Sequence, residues 1–549
     1  MTLKPEVVGP IPEATIHTAR AAFPRGSVVM KLRDEFGSLY HDENFRHLFP
    51  TRGQPGLPPW RLALVTVLQY LEHLSDRQAA DAVRGRIDWK YTLGLELDDP
   101  GFHFSVLSEF RLRLIVGNAE ALLLDTMLAR FQERGLVKSR GKQRTDSTHV
   151  LAAVHDLSLL ELVGETLRAV LNDLATVVPA WLSTVTQPEW LGRYGRRIEE
   201  YRLPRAKAAR EAYVSQVGQD GFLLLDALEH DPEMMEVRAR PVVSIFRTAW
   251  AQHFERLEGG CRWRPGSELP PVGERLCSPY DPEAHYSDKR RTQWVGYKVH
   301  LTETCDDDAV HLIVHTYSGP AEVPDVASTG DIHEALAKKN LLPTEHVVDA
   351  GYMDAELVVS TAMKHNITLI GPARINESWQ FKANQGYDQS HFLIDWEHQF
   401  ATCPQGHRST KWRRGKDAFD SDIIALQFSR TDCSPCPVRS LCTRSASTPR
   451  HLGLKPRDQY EALQQGRAQL SSPDWRERYD VRAGIEGTLS QGIRSYGLRR
   501  TRYIGLAKTG LQHVGTAAAI NILRVVNWLD GKQRETTRTS RFAALCRSA

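Results

Sequence analysis

The stretch GKQRTDSTHVLAAV, residues 141–154, is where the chain changes character. Basic residues give way to a short β-prone run with Asp146 inside it. Aspartate is disfavoured in strands, so one embedded in a strand is out of the ordinary. Upstream, the chain reads as helical to about residue 140. Pro58 and Pro59 precede WRLALVTVLQYLEHL, which has helical apolar spacing. Ser75 and Gln78 form a capping-box pattern opening QAADAV, and Ser105 is placed to cap VLSEFRLRLIV. Short helices with tight turns fit a helix-turn-helix-like DNA-binding module and a plain helical bundle equally well.

Downstream, LLELVGETLRAVLNDLATVV and the stretch from Ile198 to Leu228 keep helical periodicity, so residues 155–285 read as a helical insertion. Two strand-like runs follow, WVGYKVHLTET and AVHLIVHTYS, joined by the polar turn CDDD as an antiparallel hairpin. DVASTGDIHEALAKKN reads as a helix, EHVVDAGY as a short strand ending in Asp349, DAELVVSTAMKHN as a helix and ITLIGP as a last strand. With the insertions removed, the order is βββαβαβα. Hairpin strands followed by βα units predict an α/β fold, a mixed sheet with flanking helices. The expected divisions are a helical N-terminal domain at 1–140, core segments at 141–154, 286–374 and 471–530, the helical insertion at 155–285, a cysteine-rich insertion at 375–470 and a basic tail at 531–549.

The chain has 549 residues, 41% hydrophobic and 25% charged, with a net charge of +3. A single core stops growing at roughly 250–300 residues, so several domains are expected. Basic residues gather at 290–291, 411–416, 494–502 and 532–541. Such patches suit a phosphate backbone, although any one of them also fits solvated surface. No membrane span or secretory leader is visible, which predicts an intracellular protein.

Asp146 and Asp349 both sit at or near predicted strand ends, where catalytic groups of open α/β sheets gather. A third acid, Glu486, lies in SSPDWRERYDVRAGIEGTLSQGI, with Ser472 as cap and Pro473 at the first helical position. In one continuous helix, Tyr479, Arg482 and Glu486 would share a face. Gly484 and Gly487 each weaken that helix by roughly 1 kcal/mol relative to alanine, which suggests the close approach of another backbone. Three converging carboxylates suit phosphodiester chemistry, because two Mg²⁺ ions about 3.5–4 Å apart can activate an oxygen nucleophile and stabilise the leaving oxygen.

Cys403, Cys433, Cys436 and Cys442 fall within a short span, with His407 as a fifth candidate. In a reducing compartment such a cluster reads as a structural Zn²⁺ site, or else as free thiols. Arg413 and Arg414, with Trp412 beside them, lie between the cysteines. They could press on DNA, with Trp412 stacking on a base, or form a solvated loop. Cys261, Cys277, Cys305 and Cys546 show no pairing pattern, and His149, His300, His311 and His315 read as structural. The C-terminal TGLQHVGTAAAINILRVVNWL reads as an amphipathic or buried core helix.

These residues together resemble the DDE transposases of bacterial insertion sequences. The resemblance rests on TDST at 145–148, VVDAGY at 347–352 and the Tyr479, Arg482, Glu486 spacing. It extends to GYKVHLTET and to the N-terminal PPWRLALVTVLQYLEHLSDRQAADAV and FSVLSEFRLRL. It covers roughly 40–530. It implies an RNase H-like catalytic core, two Mg²⁺ (or Mn²⁺) ions on Asp146, Asp349 and Glu486, and cleavage and joining of double-stranded DNA at transposon terminal inverted repeats and target sites. It further implies a homodimer on DNA, in a bacterial cytoplasm and nucleoid-associated. Tyr479 and Arg482 are expected near the DNA backbone, and Lys298 in GYKVHLTET is a further candidate contact. The family often carries Lys seven residues after the Glu. Here that position is Ile493, which leaves Arg494 as the candidate phosphate ligand. The alternatives are a catalytically silent DNA-binding protein derived from a transposase and an RNase H-like nuclease that cuts without joining.

Overall fold

The computed structural model describes residues 2–154, 157–289, 291–418 and 420–532. The expected basic tail beyond Lys532, Arg290 and Cys546 lie outside the described residues.

At the centre stands a mixed sheet. Its main strands are β1 (Lys142–Leu151), β2 (Thr292–Thr304), β3 (Ile313–Pro320), β4 (Glu345–Val348) and β5 (Thr368–Ile370). They run in the order β3-β2-β1-β4-β5. The β1/β2 and β2/β3 pairs are antiparallel, and the β1/β4 and β4/β5 pairs are parallel. The hairpin therefore forms the antiparallel half. The parallel half needs crossovers, and two helices supply them: α1 (Asp325–Lys338) before β4 and α2 (Ala355–His365) before β5. β2 sits in the interior of the sheet and is buried from Tyr297 through Thr304. A short strand, His285–Lys289, also pairs with the start of β2; its polar sequence hides it from pattern reading.

Two helices follow the cysteine-rich segment, α3 (Pro473–Asp480) and α4 (Ala483–Tyr496). The single helix expected here is interrupted at Val481 and Arg482. Arg482, Gly484 and Ile485 donate to Tyr479, Val481 and Arg482, three residues back, so the turn is tighter than an α-helix. The Val481 carbonyl also accepts from Arg144 Nη1 at 2.5 Å. The last described helix, α5 (Leu506–Leu529), is buried along most of its length. Asn521 on it accepts from the Ile313 N–H and donates to the Ile313 carbonyl, both at 2.8 Å, which pins the helix to β3.

The N-terminal helices do not stand apart. Trp60, Val67, Phe110, Leu124 and Phe131 belong to the same apolar cluster as Leu301, Val348, Ile485 and Ile520. Ser75 makes the expected capping box with Gln78. Ser105 does not cap its helix: it is the first helical residue, and its hydroxyl bonds His103 Nδ1 at 2.9 Å. The helices between Leu159 and His253, with the hairpin Phe254–Leu257 and Gly260–Trp263, carry a core of their own built on Leu167, Val217, Leu224, Phe246 and Trp250. A third, small core under the strands Ser409–Lys416, Asp422–Phe428 and His451–Leu454 is made by Phe392, Leu426, Phe428 and Leu454. Among the described residues no helix is long and apolar enough to cross a membrane.

Candidate active site

Strand register brings the two aspartates together. β1 and β4 pair in parallel through Thr145 opposite Val348, so the next residue of each, Asp146 and Asp349, falls side by side at the end of the ladder. Neighbouring strands lie about 4.8 Å apart, and paired residues point to the same face. Asp349 then leaves the sheet as cap of a single turn, Ala350–Tyr352, and its Oδ1 accepts from the Gly351 N–H at 2.7 Å. Asp146 Oδ1 accepts from the Ser147 N–H, also at 2.7 Å. Burial raises the Asp146 carboxyl above its ordinary range and the Asp349 charge adds to this, against the Ser147 N–H, Arg482 and Lys289.

Glu486 joins them through one guanidinium. Arg482 Nη1 stands 3.1 Å from Asp146 Oδ2 and Nη2 stands 2.8 Å from Glu486 Oε1. Both carboxylates are thus within reach of one planar fork. Tyr479 closes the group. Its ring stacks on Trp475 at 4.7 Å and 14°, and its hydroxyl is raised by burial, with Asp349 and Asp146 adding to this against Arg482. The break at Val481 has not separated the three motif residues, because Val481 and Arg482 keep right-handed helical dihedrals.

Alternate residues of β1 dock the segment that carries Glu486. Arg144 reaches the Val481 carbonyl, Asp146 meets Arg482, and the Thr148 hydroxyl accepts from Arg499 Nε at 2.7 Å. Behind Arg144 lies Glu303, fully buried on β2. It pairs with Arg144 Nη2 at 2.6 Å and Arg524 Nη1 at 2.8 Å, and accepts from the Thr488 hydroxyl at 2.5 Å. Gly484 has the role foreseen for it, close approach, but to a side chain: a Cβ there would stand 2.1 Å from Arg144 Nη1. Gly487 has nothing within 4 Å of such an atom and no neighbour to explain it.

On the opposite face, Thr145 shares hydrogen bonds of 2.7 Å with Thr302 and with His346, which in turn meets His333 at 2.7 Å. Burial holds both histidines below their ordinary range, His333 at about 4, so the stack is neutral and fixes β1 against β4 and α1. Tyr352 of the second motif is buried, with its hydroxyl 2.6 Å from His300 Nδ1.

A fourth acid, missed in the sequence, borders the site. Asp325 opens α1. Its Oδ2 takes Lys289 at 2.9 Å and the Ser147 hydroxyl at 3.2 Å, and its Oδ1 takes Lys298 at 3.2 Å. Burial would raise its carboxyl, but Lys289 and Lys298 hold it below its ordinary range. Lys298, a candidate DNA contact, is turned inward instead. Its charge is met by Asp325, and its ammonium also donates to the Val323 carbonyl at 2.7 Å. Arg494 is exposed, whereas Ile493 packs against the main core, which accounts for an apolar residue at that position. Arg413 and Arg414 are exposed on the strand Ser409–Lys416. Trp412, which precedes them, is not available for stacking. Strand alternation turns it onto the third core, edge-on to Trp396 at 5.6 Å and 88°.

The four cysteines Cys403, Cys433, Cys436 and Cys442 line one small cavity, together with His407 and Asp432, and none forms a disulfide. A turn carries Cys403, with the Gly406 N–H donating to its carbonyl at 2.9 Å and Gly406 at φ 83°. Among the described residues no three His, Cys, Asp or Glu side chains stand close enough, as placed, to hold a metal ion; this holds for the cysteines and for the three acids alike.

Residues 402–526 match the family model of the transposase DDE domain, and residues 18–113 match that of a transposase domain (DUF772). The first match takes in Tyr479, Arg482, Glu486 and the four cysteines, and Asp146 and Asp349 lie between the two. No curated protein matches the chain. Both matched segments are those of transposases, consistent with a DDE transposase of insertion-sequence type.

Proposed function

We propose that the chain is a transposase that cuts and joins double-stranded DNA at the ends of an insertion sequence, with Asp146, Asp349 and Glu486 as its catalytic acids. The observation that carries this reading is the convergence of three acids from distant parts of the chain, Asp146 on β1, Asp349 just past the end of the adjacent parallel strand β4, and Glu486 on the same guanidinium as Asp146. The strand order β3-β2-β1-β4-β5, antiparallel then parallel, suits an RNase H-like core. In this reading residues 1–140 form the DNA-binding helical domain, 155–285 and 375–470 are insertions into the core, and 531–549 is a basic tail.

The donor set fits hard divalent cations, since it offers carboxylate oxygens on a rim open enough to keep waters. Asp146, Asp349 and Glu486 would hold two Mg²⁺ (or Mn²⁺), which supply charge neutralisation and an activated oxygen for phosphoryl transfer. The chain itself positions. β1 and β4 fix the two aspartates, and the Glu303 network fixes the helix bearing Glu486. Arg482 holds Asp146 and Glu486 together against their mutual repulsion and would meet the charge that develops on a phosphate bound at these acids. Tyr479 and the exposed Arg494 are candidate backbone contacts. The four-cysteine cavity fits a structural Zn²⁺, because thiolates at two turns can close a tetrahedral site with no open position. Two DNA ends call for a homodimer on DNA, and the setting is a bacterial cytoplasm.

Duplexes carrying the inverted repeats that flank this reading frame test the proposal. With Mg²⁺, the wild-type protein is expected to nick them and to join pre-cut ends to a target. Asp146→Asn, Asp349→Asn and Glu486→Gln are expected to bind the duplex and leave it uncut. Full cleavage by any of the three overturns the assignment of the acids. Cleavage without joining of pre-cut ends makes the protein a nuclease, and binding without cleavage makes it a silent DNA-binding protein.

A further inference from the structure

We propose that Arg499 binds the DNA phosphate next to the one being cut, an inference that rests on the transposase reading above. Arg144, Asp146 and Thr148 share one face of β1, and each meets the segment that follows the cysteine-rich region. Arg499 belongs to the last of these contacts. Its Nε donates to the Thr148 hydroxyl at 2.7 Å. Its own carbonyl accepts from the Leu151 N–H at 2.8 Å, and the Leu151 carbonyl accepts from the Thr501 N–H at 3.1 Å. The backbone is thus pinned to the end of β1, and the guanidinium is aimed by a buried hydroxyl.

What it lacks is an anion. On this side of the sheet Arg144 meets Glu303, Arg478 meets Glu345, Arg482 meets Asp146 and Glu486, and Arg524 meets Glu303. Among the described residues no carboxylate pairs with Arg499. With Nε engaged, both terminal nitrogens are left to donate, the geometry that binds a phosphate bidentately. Position supplies the rest. Thr148 is two residues beyond Asp146 on the same face, about 6.6 Å along the strand. That distance is comparable to one step of a sugar–phosphate backbone. A strand with its scissile phosphate at Asp146 and Asp349 therefore brings a neighbouring phosphate to Arg499.

The test uses the full-length protein and duplex ends in which each linkage flanking the scissile one is, in turn, a neutral methylphosphonate. Wild type is expected to lose about tenfold or more in cleavage when the neutral linkage lies opposite Arg499. Arg499→Ala is expected to show that loss on natural DNA and no further loss from the neutral linkage, with the salt dependence of binding reduced by about one charge. Where alanine does not fold, Arg499→Lys replaces it: with its charge kept and its fork lost, it is expected to keep the salt slope and to lose less than wild type when the linkage opposite residue 499 is neutral. Additive losses at both flanking linkages in the variant overturn the proposal while the transposase reading stands. Absence of cleavage by wild type on either natural end overturns both.

Discussion

The guanidinium of Arg144 occupies the space that a side chain at Gly484 would fill, with only 2.1 Å between an added Cβ and Nη1. Arg144 cannot swing away cheaply, because it is held by Glu303 and by the Val481 carbonyl. Gly484→Ala is therefore expected to push α4 off β1, displace Glu486 and reduce strand cleavage at least tenfold. Overpacking of this kind costs about 1–3 kcal/mol, against a gain of about 1 kcal/mol in helix propensity. Gly487→Ala, one helical turn away in open space, keeps the gain without the clash, so its melting temperature should rise. Thermal melts of the two variants side by side check this, and a Gly484→Ala protein as stable and active as wild type refutes the docking role.

Glu303 holds that docking together from behind. Burial alone would raise its carboxyl, but Arg524 and Arg144, with the Thr488 hydroxyl, bring it below its ordinary 4.5. Glu303→Gln leaves two guanidinium groups without a counter-charge, a change expected to cost about 3–5 kcal/mol. The sign of the pH dependence follows from the lowered value. The stabilisation is fully present above pH 4.5 and is lost as pH falls through the still lower folded value. Denaturant titrations from pH 7 downward should show a constant gap between wild type and Glu303→Gln to about pH 4.5, closing only below it. A gap that closes already between pH 7 and 5 contradicts this assignment.

Much of this arrangement is legible in the sequence, and the exceptions have one cause. The hairpin, the two βα units and the places of Asp146 and Asp349 follow from local alternation and turn residues, which act within a few positions. The break at Val481 does not, because the side chain that meets its carbonyl there, Arg144, is 337 residues away in sequence. Asp325 reads as an ordinary first-turn acid until Lys289 and Lys298 arrive from other strands. Trp412 looks like a stacking platform in a basic run. Its register opposite Leu426 packs it against the third core, while Arg413 and Arg414 stay exposed. Ile493 looks like the loss of a basic residue, although its helix turns that position towards the core.

The cysteine cavity gives the last prediction. Cys442 is raised by burial, and the neighbouring Cys433, Cys403 and Cys436 add to this against Arg450. Four thiols facing one cavity cannot all ionise unaided, and a divalent cation removes that obstacle, releasing protons as it binds. Arg439 Nη1 holds the Cys433 carbonyl at 2.9 Å, so the second pair of cysteines is braced before any ion arrives. Protein purified from zinc-containing medium should carry about one zinc per chain by elemental analysis, the stoichiometry of a closed four-thiolate site. Cys433→Ser or Cys436→Ser should lose it and expose the strands Ser409–Lys416 and Asp422–Phe428 to protease. Chelation of the wild-type protein should produce the same cleavage pattern, since the third core is too small to hold these strands alone. Wild-type protein free of zinc, or serine variants that keep it, would show that the four thiols pack as apolar side chains and bind no metal.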